Sequence, residues 1–204
     1  GDGMPRHDWY VSKRDAADLC APEEVGDYAA RRALSRLKSR KIKTCEVPVL
    51  FEAPIAATLI GNYVHAVSGG ALYRKSSFLE GSLGKQVFSK NVQISERPHL
   101  RKGMASSWFD DDGVATHDRE AVQDGVVQGY FLGTYSARKL GMQTTGNAGG
   151  AHNLIVKPGK RDLAGLIKEM GRGLLVTELL GHGVNYVTGD YSRGAAGYWV
   201  DKGQ

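Results

Sequence analysis

The chain has 204 residues, 41% hydrophobic and 24% charged, with 27 Lys and Arg against 22 Asp and Glu. A chain of this size buries about 70% of its unfolded surface, and so ordinary a composition excludes collagen-like, mucin-like and wholly disordered classes. No apolar run reaches the roughly 18 to 20 residues of a membrane-spanning helix, and Gly1 to Asp8 lacks the apolar stretch of a secretory signal. Cys20 and Cys45 make no disulfide framework, which fits a reducing compartment. The expectation is a cytoplasmic protein without membrane attachment.

In chain order, the first helix is predicted from Pro22, with Glu23 and Glu24 against the positive end of its dipole. Val25, Ala29, Ala33 and Leu37 form its inner stripe, and it is expected to end near Arg40. Arg31 to Lys43 carries seven cations and no acid. A phosphate-tracking face is one account of this run. A solvated helix face is the preferred one, because no aromatic residue interleaves to stack bases. Direct nucleic-acid binding is therefore not expected.

Val47 to Phe51 reads as a buried strand, placed at an edge or a strand start by Pro48. A second helix is predicted from Pro54 through Ile55, Leu59, Tyr63 and Val67, stopped by Ser68-Gly69-Gly70. Val92 to Ile94 is a short strand. Asp124-Gly125, set between Glu120–Gln123 and Val126–Gln128, signals a hairpin, since this pair accepts the positive φ angles of a type I′ turn. Ser136 to Gly141 reads as one helical turn with a C-terminal glycine. Leu154–Val156 reads as a strand, and Asp162 caps a short helix ended by Gly171. Leu174–Val176, Tyr186–Thr188 and Gly197–Val200 are further strands. Of 27 glycines, about half follow Lys139, which predicts irregular sheet with shaped loops there. The fold class is α+β: helices in the N-terminal half, mainly antiparallel or mixed sheet with glycine-rich loops in the C-terminal half.

No catalytic set assembles from spacing. His65 stands on a helix without a second histidine, and His99, His117, His152 and His182 show no ligand spacing. Gly189-Asp190-Tyr191-Ser192-Arg193-Gly194 resembles an esterase elbow only in its last glycine, because Asp190 stands where the earlier glycine belongs. A structural turn is preferred, with Asp190 and Arg193 pairing across it and Tyr191 offering a hydroxyl and a ring. Gly141 to Gly150 lacks the Gly-Lys-Ser/Thr ending of a phosphate loop, so it is read as a loop accepting another backbone at close range. Arg74 and Lys75 are weighed as carboxylate holders against a plain surface pair.

The order of these segments carries a resemblance. Val67-Ser68-Gly69-Gly70-Ala71-Leu72-Tyr73-Arg74-Lys75-Ser76, Ser107-Trp108-Phe109-Asp110, Gly113-Val114-Ala115-Thr116 and Tyr135-Ser136-Ala137-Arg138-Lys139-Leu140-Gly141-Met142 look like the PmbA (TldE) family. The likeness continues through Gly149-Gly150, Gly173 to Leu179 and Gly189 to Ala195. It implies a linker over 1–20 and a PmbA/TldD-like domain over 21–204, a piece of a longer protein. It further implies a cytosolic heterodimer with a TldD-like protease subunit, acting on peptides. Links to peptide-antibiotic maturation and to modulation of DNA gyrase follow from the same resemblance.

The TldD branch binds zinc through a His-Glu-x-x-x-His helix. Laid onto this chain, that pattern falls on Gly61, Asn62 and Ala66. The resemblance therefore implies no metal ligand and no catalytic residue here, with zinc in the partner subunit. Arg74, Tyr191 and Arg193 are the candidates for groove or interface contacts. The alternative is an independent peptide- or nucleic-acid-binding module of the gyrase-modulator type.

Overall fold

A computed structural model describes residues 4–204, so the first three positions of the expected linker lie outside the described residues. The chain divides into two compact units, residues 4–46 with Arg101–Met104, and Val47–Leu100 with Ala105–Gln204.

In the smaller unit a 3-10 turn, Ala16–Asp18, is capped by the Asp15 side chain, which accepts from Ala17 N. Helix α1 spans Pro22–Ser35. It stops short of the expected Arg40: Arg36 N bonds back to Ala33 O, and Lys38 takes a φ of 61° that no helix continues through. Leu37 consequently leaves the predicted stripe and is exposed. Tyr28 packs its ring 4.4 Å from that of Trp9. Lys102 ion-pairs with Asp15 at 2.6 Å and Asp18 at 2.9 Å. The Lys102 ammonium holds the Asp15 carboxyl below its ordinary value, helped by Ala17 N, and Asp15 and then Asp18 raise that of Lys102.

The larger unit holds two sheets. Strand β1 (Val49–Phe51) runs parallel to β6 (Gly173–Leu180), and β6 pairs antiparallel with β7 (Gly194–Val200), in the order β1-β6-β7. β1 is thus an edge, as Pro48 requires. The second sheet orders β4 (Val126–Val127), β3 (Arg119–Gln123), β2 (Ile94–Glu96) and β5 (Leu154–Val156), all antiparallel. Its hairpin turns on Asp124 and Gly125 at φ 50° and 77°.

Four helices accompany these sheets. α2 (Ala53–Ala66) ends in a bend at Val67-Ser68, after which Ser68 caps α3 (Gly69–Tyr73) by accepting from Ala71 N. The stop at Ser68 is therefore also a start. α4 (Thr134–Leu140) and α5 (Leu163–Met170) lie in the C-terminal half. The expectation that helices are confined to the N-terminal half is corrected. Two of the glycines that suggested irregular sheet there instead close helices, Gly141 (φ 66°) ending α4 and Gly171 (φ 66°) ending α5. Asp162 starts α5 by accepting from Gly165 N at 2.8 Å. Tyr186–Thr188 forms no strand, because Asn185 Oδ1 accepts from Val187 N at 3.0 Å and folds the segment into a turn.

The core joins α2, α3, α4 and the second sheet through Tyr63, Ala66, Val67, Leu72, Ile94, Val122, Val127, Phe131, Leu132 and Ala137. At about 25 cal/mol per Å² of apolar area removed from water, these side chains dominate the unit's stability.

Candidate functional site

Helix α2 carries the positions at which the resemblance looks for zinc ligands. Gly61 and Ala66 have no donor atom, and the carboxamide of Asn62 is already engaged: its Oδ1 accepts from Tyr186 Oη at 2.8 Å. The Tyr186 ring packs tilted, at 43°, against that of His65 with centroids 4.1 Å apart. These residues do not fit zinc, which needs several imidazole, thiolate or carboxylate ligands at one point. Among the described residues no group of three or more His, Cys, Asp or Glu is placed to hold a metal ion.

Tyr186 arrives there on the connection between β6 and β7, from Gly181 to Arg193. Asn185 N donates to Asp190 O and Ser192 N to Gly183 O, closing the connection on itself. Thr188 Oγ1 donates to Asp190 Oδ2 at 2.6 Å. Phe78 N donates to Tyr186 O at 2.7 Å, and Gly189 seats against the Phe78 ring, where a Cβ would approach to 2.9 Å. The connection is thereby fastened to α2 and to the chain after α3.

Of the sequence candidates, Tyr191 and Arg193 lie on this connection. Tyr191 is part-exposed, bridged to Val184, and Arg193 is half-buried with its Nε lacking a hydrogen-bond partner. The expected pairing of Asp190 with Arg193 is not formed among the described residues; Asp190 takes the nearer Thr188 hydroxyl instead. Arg74 is the exposed C-cap of α3, its guanidinium 5.2 Å from the centre of the Tyr73 ring and Nη1 donating to Tyr73 Oη at 3.1 Å. No hydrogen bond or ion pair joins Arg74 to Tyr191 or Arg193 among the described residues.

The histidines stay apart. His99 Nε2 lies 3.0 Å from Thr116 Oγ1 beneath the exposed Trp108, and His152 Nε2 lies 3.0 Å from Gly146 O. The glycine-rich loop Gly141 to Gly150 accepts backbone as expected, with Gly146 against Ala115 O. It also holds a carboxylate of the chain itself: Ala148 N donates to the buried Asp110 side chain at 2.9 Å.

Sequence reasoning missed a charged network that holds this loop. Glu96, 1% exposed, faces its cross-strand partner Arg119, whose Nε donates to Glu96 Oε2 at 2.6 Å. Arg119 Nη1 reaches Tyr130 O and Nη2 reaches Asn147 Oδ1. Asn147 Nδ2 and His152 N both donate to Glu96 Oε1 at 2.8 Å. The available signal was period two: Glu96 shares a face with buried Ile94, and Arg119 with buried Ala121. On the opposite face Glu120 accepts from Ser95 at 2.6 Å and pairs with Arg97, and these bonds, the serine first, hold its carboxyl below the ordinary value.

Comparison with known proteins agrees with this architecture. Residues 44–204 match the family model described as the PmbA/TldA metallopeptidase C-terminal domain. The Haemophilus influenzae Metalloprotease PmbA homolog is 50% identical over 196 residues, covering 96% of this chain and 44% of that protein. The same organism's Metalloprotease TldD homolog is 27% identical over 212 residues, covering 97% and 43%. A Bacteroides thetaiotaomicron crystal structure, named as a candidate modulator of DNA gyrase, superposes with a TM-score of 0.90 at 32% identity, covering 96% of this chain and 44% of that one. The chain thus spans less than half the length of these relatives. With sequence and fold matching over nearly all its residues, the chain belongs to the PmbA/TldD metallopeptidase family.

Proposed function

We propose that this chain is part of the non-zinc subunit of a TldD/TldE-type cytosolic metalloprotease heterodimer that degrades or trims peptides, peptide-antibiotic precursors among them. One observation carries the reading: the α2 positions where the resemblance looks for zinc ligands are Gly61, Asn62 and Ala66, with Asn62 bonded to Tyr186. The higher identity to the PmbA homolog than to the TldD homolog supports the same branch. Hydrolysis is assigned to the zinc-bearing partner, and this subunit closes the chamber and guides substrate through groove or interface contacts that include Arg74, Tyr191 and Arg193.

The test is cleavage of an unstructured peptide, followed by mass spectrometry, with the full-length protein alone, its TldD-like partner alone, and both together. Cleavage is expected only, or at least about tenfold faster, in the mixture. Cleavage by this protein alone at the rate of the mixture would overturn the proposal.

A further inference from the structure

Helices α3 and α4 pack so closely that a Cβ on Gly69 would overlap Ser136. That approach sets the Tyr73 and Tyr135 rings edge to face, 5.7 Å apart at 82°. Each ring carries its own cation. Arg74 lies 5.2 Å over Tyr73, in space that Gly70 leaves open, and Lys139 Nζ lies 5.6 Å over Tyr135. Tyr135, Arg138 and Lys139 stand at i, i+3 and i+4, on one exposed face of α4, and Arg74 and Lys75 are exposed at the end of α3.

Four exposed cations and two tyrosines therefore stand on or beside these two packed helices. The sequence has no Asp or Glu from Ala53 to Leu79, nor from Gly125 to Arg161. The acid bound to these helices is Asp112, and its Oδ2 is spent accepting from Thr134 N at the far end of α4. None of the four cations makes an ion pair with a described carboxylate. We infer that this surface, centred on Tyr73, Arg74, Tyr135 and Lys139, binds an extended peptide segment bearing acidic side chains.

The chemistry favours carboxylates over nucleic acid. A guanidinium and an ammonium held against rings are pre-positioned, so less side-chain entropy is lost when a carboxylate arrives, and the arginine fork suits it in two-bond geometry. Base stacking instead needs successive open ring faces, whereas here the rings meet edge to face and each has a cation over it. The inference deepens the proposed function by naming a substrate class, and rests on that reading for the fate of the peptide but not for its binding.

Fluorescence anisotropy with the full-length protein tests it without partner or hydrolysis. The probes are a labelled glutamate-rich octapeptide, its glutamine counterpart, and a labelled oligothymidylate, at about 0.15 M salt. The glutamate peptide is expected to bind about tenfold tighter than the glutamine one. Arg74→Gln with Lys139→Gln should remove that difference, Arg74→Lys with Lys139→Arg should restore it in part, and Lys160→Gln on a separate loop should leave it. Circular dichroism confirms that each variant folds. Equal binding of both peptides, or a preference untouched by the double variant, overturns the inference. Tighter binding of the oligothymidylate, lost in the same variant, overturns it in favour of nucleic acid. Partner-dependent cleavage without this preference sinks only the inference; the preference without such cleavage sinks only the proposed function.

Discussion

Tyr63 shows how one buried side chain couples the core to solution conditions. It is 5% exposed in the main core, and its hydroxyl finds no hydrogen-bond partner there. Burial pushes its phenol up to about 12; Arg119 opposes that rise and Tyr130 adds to it. In the unfolded chain the phenol ionises near 10. Between these values the unfolded state loses the proton while the folded state keeps it, so stability falls as pH climbs from about 10 toward 12. Urea unfolding at pH 9 and 11 should show a steeper decline in the protein than in Tyr63→Phe. At pH 7 the same variant should be neutral or slightly more stable, since it removes a polar atom that makes no bond. The Glu96–Arg119 pair is the contrasting case. Its carboxylate is buried and its guanidinium largely so, each with partners in place, which ties β2, β3 and the glycine-rich loop into one register.

At the level of elements, the contact between α3 and α4 depends on the missing side chain of Gly69. Gly69→Ala should cost about 1–3 kcal/mol by overpacking against Ser136. Adding Ser136→Gly should recover part of that cost, with a coupling of about 1 kcal/mol in a double-mutant cycle of urea unfolding. Additive losses would mean that the helices separate freely. The elements themselves were largely legible in the sequence. Asp162 and Gly171 bound α5, Gly141 ends α4, and Asp124-Gly125 makes the hairpin, each through chemistry confined to a few neighbouring residues. The end of α1 was not legible, because no residue there announces a stop until Lys38 turns to positive φ. The strand expected at Tyr186 was lost to Asn185, whose side chain satisfies the following backbone N–H groups locally.

For the whole molecule, the decisive feature is that α2 carries Gly61, Asn62 and Ala66 at the positions where the resemblance looks for metal ligands. A bound metal stabilises the state that holds it, and its removal lowers the melting temperature. Addition of EDTA should therefore leave the melting curve of the isolated protein unchanged, while abolishing cleavage by the mixture with its partner. A substantial fall in melting temperature would reveal a metal site that these residues do not supply. Among the described residues no helix is long and apolar enough to cross a membrane.

The lack of ligands at Gly61, Asn62 and Ala66 was decided by residue identity alone, as were the caps, the hairpin and the mixed helix–strand composition. Tertiary structure decided the rest: that Tyr186 closes over Asn62, 124 positions away, that Glu96 meets Arg119 inside the second sheet, and that Tyr73 meets Tyr135. Caps and turns are settled by bonds within one turn of chain. Burial and pairing depend on which distant segments share a space, and local preference carries no record of that.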